Sequence, residues 1–153
     1  MRALCEKGRA VIYREMDISD YGQLIHLWRD VEGMCLREAD SKECISKYLL
    51  RNPNLSFVAE ADQKVIGTIM SGHDGKRGYL QHLAVAEKYR NVGVASMLLD
   101  MCVTSLKTEG INKSHIHVLS SNYLAKDYWK NRGWCKRNDI EVFSYINGGG
   151  ENT

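Results

Sequence analysis

Leu80-Gln81-His82-Leu83-Ala84-Val85, then Ala86-Glu87-Lys88-Tyr89, then Arg90-Asn91-Val92-Gly93-Val94-Ala95-Ser96 sets the architecture of this chain. The first six residues are β-prone. From Val94 onward, Ala95, Leu98, Leu99, Cys102, Val103 and Leu106 recur at helical spacing, which predicts a long helix from about Gly93 to Thr108, closed by Gly110. Strand, short loop and helix follow in that order, and the helix start has no bulky side chain at Gly93 or Ala95. Such a terminus presents N–H groups without helical partners at the positive end of the dipole, which suits a phosphate. Arg90 adds a cation at the rim, with Lys88 a weaker candidate.

The flanks complete the pattern. Upstream, 10–14 reads as a strand, and Asp17 and Ser19 offer caps to a helix reaching about Val31, which Gly33 ends. Asp40-Ser41-Lys42-Glu43 has capping-box spacing with Asp at the cap, and the helix it opens stops at Pro53. Strands over 55–61 and 65–70 flank the polar turn 62–64, and 72–78 makes a second turn before the strand 79–85. Downstream, 114–119 reads as a strand and Asn122 opens a helix ending at Arg132-Gly133. A last strand is expected over 142–146, and its edge suits a homodimer. Hairpin-linked strands pair antiparallel, and a strand–helix–strand unit implies a parallel crossover. The expectation is one α/β domain over 1–147, a mixed, mostly antiparallel sheet flanked by helices, with 148–153 a disordered tail.

Composition narrows the function. The chain has 153 residues, 44% of them hydrophobic and 26% charged, as in an ordinary globular domain. A net charge of +2 is too small to argue for nucleic acid or an anionic membrane surface, and neither is expected as a partner. No apolar run approaches a bilayer span, and charge interrupts Met1 to Lys7 too early for a signal peptide. Cys5, Cys35, Cys44, Cys102 and Cys135 form no C-x-x-C pair, so neither zinc nor a redox dithiol is indicated. Reduced thiols and a cytoplasmic location follow as expectations, with Cys102 in the core.

A Walker loop would need Gly-Lys-Ser or Gly-Lys-Thr, and a dinucleotide fingerprint three spaced glycines; both are absent. Instead the chain resembles the GNAT (Gcn5-related N-acetyltransferase) superfamily over nearly its whole length. Arg90-x-x-Gly93-x-Ala95 matches that family's Q/R-x-x-G-x-G/A signature, placed after Leu83-Ala84-Val85. Asn122-x-x-Ala125 with Tyr128-Trp129-x-x-x-Gly133-Trp134 is similar to its second landmark, and Gly72-x-Asp74-Gly75-x-Arg77-Gly78 resembles the turn of a bacterial subgroup.

The resemblance implies an acetyl-CoA-dependent N-acetyltransferase acting on a primary amine of a small metabolite or peptide, without a metal. It implies that backbone groups of Leu83, Ala84 and Val85 bind the pantetheine arm as an added strand would. Asn91, Val92, Gly93, Val94, Ala95 and Ser96, with Arg90, would hold the pyrophosphate. Asn122 would contact the pantetheine and Trp129 would pack at the thiol end. Cofactor and acceptor would meet in a notch where the strands on either side of the long helix splay apart.

The catalytic positions depart from the family pattern. Trp129 stands where the family's general-acid Tyr is usual. Tyr128 lies about 100° round the helix, expected to face elsewhere, and Tyr123 is a further candidate. Tyr79 and Gln81 occupy the positions of the usual Glu or His base and, by strict alternation, share a face with Leu83. His82 then points the other way and reads as structural. Glu60 could act through water, and His115 with His117 lacks a third metal ligand. The connector 33–40 is expected to select the acceptor, Glu32, Glu38 and Asp40 attracting a cation and Arg37 a carboxylate. The missing Tyr and base keep a second reading open: an acyl-CoA-binding regulatory or sensory module with little turnover.

Overall fold

In the computed structural model, residues 2–4 and 10–153 are described; Cys5 and the remainder of 1–9 lie outside them. The strands β1 (Arg2–Leu4), β2 (Ala10–Glu15), β3 (Phe57–Ala61), β4 (Lys64–His73), β5 (Gly78–Val85) and β6 (Ser114–Ile116) form one sheet in sequence order. Every neighbouring pair is antiparallel except β5 and β6, which run parallel. The chain needs a crossover to make that parallel pair, and α3 (Val94–Thr108) supplies it. The expected mixed, mostly antiparallel sheet is what forms. The pairing of β1 was not anticipated.

Each face of the sheet carries its own core. Leu24, Leu27 and Trp28 of α1 (Tyr21–Arg29) and Ile45 of α2 (Lys42–Arg51) cover Val58, Val65, Met70 and Ala84. On the other face, Val94, Leu98, Cys102 and Leu106 of α3 and Trp129 of α4 (Tyr123–Asn131) cover Phe57, Ala59, Ile69, Leu80 and Val85. Because β4 is covered on both faces, its residues from Val65 to Gly72 are buried without alternation, Thr68 and Ser71 among them. At Gly67 the α3 helix comes so close that an added Cβ would sit 3.0 Å from Val94 Cγ1 and 3.1 Å from Leu98 Cδ1.

One irregularity shapes β5. Thr68 pairs with Ala84, but Met70 pairs with Gln81, so one residue of β4 faces two of β5. The surplus residue is His82, whose φ of 53° is left-handed. Alternation breaks there. Leu80, Leu83 and Val85 share the α3 face, while Ala84 joins the α1 core and the His82 ring meets Trp28 at 4.5 Å, edge to face. Gln81 lies beside the Tyr48 hydroxyl, also on the α1 side. Strict alternation had Gln81 and Leu83 together; the bulge separates them.

Three further expectations are corrected. Ser41, not Asp40, caps α2, accepting from Cys44 N at 3.3 Å, which frees Asp40 for other contacts. The strand expected over 114–119 stops at Ile116. No strand forms over 142–146: Val142 is 69% exposed, and Phe143 and Tyr145 are each 89% exposed. The three-residue β6 offers too short an edge to template another strand.

Candidate functional site

The site is built where the sheet parts. Parallel pairing of β5 with β6 covers only Gly78–Ser114, Tyr79–His115 and Leu80–Ile116. Beyond Leu80 the strands diverge, as the resemblance implied. Ala86 N donates to Ile66 O at 2.8 Å and Ala84 pairs with Thr68, so alternation turns the backbone groups of Leu83 and Val85 away from β4, into the gap. The gap opens into a cavity of about 1290 Å³ that reaches from the connector 31–35 to the start of α3 and along α4.

At one end lies the start of α3. Asn91 and Gly93 both have left-handed φ, 62° and 89°, and an added Cβ on Gly93 would meet nothing within 4 Å. Glycine is thus required here by conformation, and the space before it stays open. No side chain caps this helix; its first intrahelical bond runs from Met97 N to Gly93 O, so the N–H groups of Val94, Ala95 and Ser96 have no helical acceptor. Arg90 Nε donates to Val85 O at 3.0 Å, which locks the loop to the end of β5 and holds the guanidinium beside the gap. From the other side, Arg132 donates to the Ser96 hydroxyl and lies 5.3 Å from the Tyr128 ring centre. Arg132 was not foreseen; its only signal is its place one residue before Gly133 of the second landmark.

Along α4, Trp129 is buried and edge-on to both Tyr128 and Trp134. The Tyr128 hydroxyl is buried without a hydrogen-bond partner, and its residue lines the cavity. The expectation that Tyr128 faces elsewhere is thereby corrected: Tyr128 and Trp129, neighbours on α4, both line the cavity. Burial pushes the Tyr128 hydroxyl above its ordinary pKa, partly countered by Arg132 and reinforced by Asp100. Asn122 spends its side-chain oxygen on Ala125 N at 3.0 Å, capping α4, which leaves its amide nitrogen against the connector at Gly33.

The residues singled out from sequence converge here. Tyr79, Gln81, Leu83, Ala84, Val85, Arg90, Asn91, Gly93, Val94, Ala95, Ser96, Asn122, Tyr128 and Trp129 all line this cavity, while Val92 packs against the core instead. Glu60 is not among them. It is tied to Arg14, which also grips Asp20 through two bonds of 2.8 Å. Tyr79 stacks near His115 at 5.8 Å. Among the described residues no cluster of His, Cys, Asp or Glu could hold a metal.

On the α1 side of the cavity, His82 Nε2 lies 2.7 Å from Asp40 Oδ1. Asp40 comes from a single 3-10 turn, Glu38–Asp40, in the connector between α1 and α2, and its second oxygen accepts from Arg37 N at 2.8 Å. Burial raises the Asp40 carboxyl pKa, but the bonds from His82 and Arg37 outweigh it and hold the group below the ordinary carboxylate value. Behind the pair, Trp28 Nε1 donates to Thr68 Oγ1 at 2.9 Å, and Thr68 Oγ1 donates to His82 O at 2.8 Å. Sequence alternation had made His82 structural. The left-handed residue responsible for the bulge carries no signature of its own in the sequence.

Comparison with known proteins agrees with the geometry. The sequence profile described as the acetyltransferase (GNAT) family matches residues 22–134. An acetyltransferase of Pectobacterium atrosepticum is 32% identical over 104 residues, 67% of this chain and 72% of that protein. One from Sodalis glossinidius is 34% identical over 104 residues, with the same coverage of 67% and 72%. Among solved structures, the PaiA N-acetyltransferase of Thermoplasma acidophilum in complex with coenzyme A superposes with a TM-score of 0.71 at 20% identity, over 80% of this chain and 87% of that one.

Proposed function

This chain belongs to the acetyltransferase (GNAT) family, and we propose that it carries an acetyl group from acetyl-CoA to the primary amine of a small metabolite or peptide. The observation that carries the reading is the uncapped start of α3, open in front of Gly93 and flanked by Arg90 and Arg132, at the mouth of the gap between β5 and β6. Acetyl-CoA supplies an activated acyl carbon and a thiolate leaving group. The N–H groups of Val94, Ala95 and Ser96, with the two guanidiniums, bind its pyrophosphate. Leu83 offers its backbone groups and Val85 its N–H to the pantetheine amides, the way an edge strand binds a peptide, while Val85 O is taken by Arg90. Much of the rate then comes from holding amine and thioester in register. The Tyr128 hydroxyl fits a proton donor to the departing sulfur, for it stays protonated, its residue lines the cavity and no other hydrogen-bond partner engages it.

Two finer points belong to the same reading. No helix among the described residues is long and apolar enough to cross a membrane, and the free thiols of Cys35, Cys44, Cys102 and Cys135 suit a reducing compartment, the cytoplasm. The exposed apolar run around Phe143 and Tyr145 suits a homodimer contact.

Titration calorimetry with CoA and with ATP tests the cofactor, and thiol release across a panel of chemically diverse amines tests the reaction. We expect CoA to bind and ATP not to. Gly93→Glu should abolish CoA binding in a folded protein, because it sets bulk and negative charge in the phosphate site. Unchanged affinity would show that the cradle lies elsewhere, and silence across the amine panel would leave a binding module without turnover.

A further inference from the structure

We infer that His82 is the general base of the acetyl transfer and that Asp40 is its positioning residue, an inference that rests on the amine-acetylating reading above. The pair is a second-line arrangement that the sequence pattern concealed. Nε2 lies 2.7 Å from the Asp40 carboxylate, which can only accept, so in the neutral ring the proton sits on Nε2 and the lone pair on Nδ1. Nδ1 has no hydrogen-bond partner among the described residues and is not sealed from the cavity that His82 lines. Asp40 is itself held at both oxygens, by His82 and by Arg37 N. A base oriented by a carboxylate that is oriented in turn is the arrangement that nucleophile-activating histidines use.

The backbone points the same way. A left-handed φ of 53° at a histidine inside a strand is costly and persists only where its surroundings enforce it. Here Trp28 packs edge-on against the ring and Thr68 holds the carbonyl. His82 lines the same cavity as the connector residues 31–35, and its ring packs on the α1 face of the sheet, whereas α3 and α4 cover the other face. The other candidates do worse. Gln81 is no base, Glu60 is consumed by Arg14, and His115 and His117 have no carboxylate partner among the described residues.

An amine in water arrives as an ammonium ion and cannot attack. His82 Nδ1 takes one proton from it and passes that proton to solvent. The freed nitrogen forms the C–N bond as the C–S bond breaks, and its second displaced proton ends on the thiolate sulfur. Charge and protons balance: ammonium and thioester become amide, thiol and one released proton.

Two amines of equal size and unequal basicity isolate the step. Ethylamine is an ammonium ion at neutral pH and needs the base; methoxyamine is already neutral and does not. His82→Asn is the variant of choice, since asparagine tolerates the left-handed conformation and preserves the bulge. We expect kcat/KM for ethylamine to fall about 100-fold and that for methoxyamine by less than about threefold, with KM for acetyl-CoA unmoved and added imidazole restoring part of the ethylamine rate. Asp40→Asn, which can still accept from Arg37 N, should cost about tenfold on ethylamine alone. Equal losses on both amines, or none on ethylamine, would overturn the inference while leaving acetyl transfer in place. A wild-type protein that acetylates neither these amines nor any in the wider panel would instead defeat the amine reading itself.

Discussion

Tyr128 shows how one hydroxyl can weigh on stability and on chemistry in opposite directions. Buried without a partner, it has lost its water bonds and gained nothing, a cost of about 1–3 kcal/mol. A phenylalanine there keeps the ring against Trp129 and beneath Arg132. Tyr128→Phe is therefore expected to raise the unfolding free energy, by about 1 kcal/mol, in a denaturant titration. If the hydroxyl donates to the departing sulfur, turnover in the same variant should drop by about 100-fold. A variant that is both destabilised and fully active would show that the hydroxyl has an unseen structural partner and no catalytic one. Such a residue stands apart from Cys102, which is fully buried with its thiol bonded to Leu55 O and its pKa pushed up to about 12 by burial. Cys102 is core and nothing more.

At the scale of elements, the bulge in β5 depends on a threonine in the neighbouring strand. Thr68, itself fully buried, accepts from Trp28 and donates to the carbonyl of His82. Thr68→Val keeps the shape but strands a donor and an acceptor at once, and should cost about 2–4 kcal/mol by chemical denaturation. Thr68→Ser should recover most of that loss, since it restores the hydroxyl. Equal stability of the threonine and valine forms would mean that the bulge is held by something else. The same element marks the limit of sequence reasoning. The long helix, its glycine start and the hairpins were legible because periodicity and turn residues are local signals. The α2 cap was misplaced by one residue because Asp40 and Ser41 both suit a cap, and only the distant His82 decides which is free. Faces along β5 were misassigned at Gln81 because a bulge is a matter of pairing with β4, which no local pattern records. Arg132 escaped notice for a similar reason: only folding brings α4 to the start of α3.

The whole molecule divides its labour between the two faces of one sheet. The α3 and α4 side offers groups suited to phosphate and thiol, the α1 and connector side a base suited to an amine, and the widened gap beside β5 joins them. The far end is less economical. From Ile140 to Ile146 the chain leaves Val142, Phe143 and Tyr145 exposed to water, an apolar run that suits an interaction site. Sedimentation velocity is expected to show concentration-dependent association, reduced by Phe143→Ser with Tyr145→Ser. A monomer at all concentrations would show that this run is covered in some other way.

Of the 8 residues in β5, packing needs only 7. Without His82 the strand would read Leu80-Gln81-Leu83-Ala84-Val85, in unbroken alternation, with every core side chain on the face it occupies now. Removing a residue from the middle of a strand ordinarily turns half of it inside out. Here the deletion would keep each core side chain on its face, at the cost of the bond from Thr68 Oγ1 to His82 O and of the ring contact with Trp28. One inserted residue thus gives β5 a histidine that its alternation has no place for, held by Thr68, Trp28 and Asp40 rather than by the pattern of the strand.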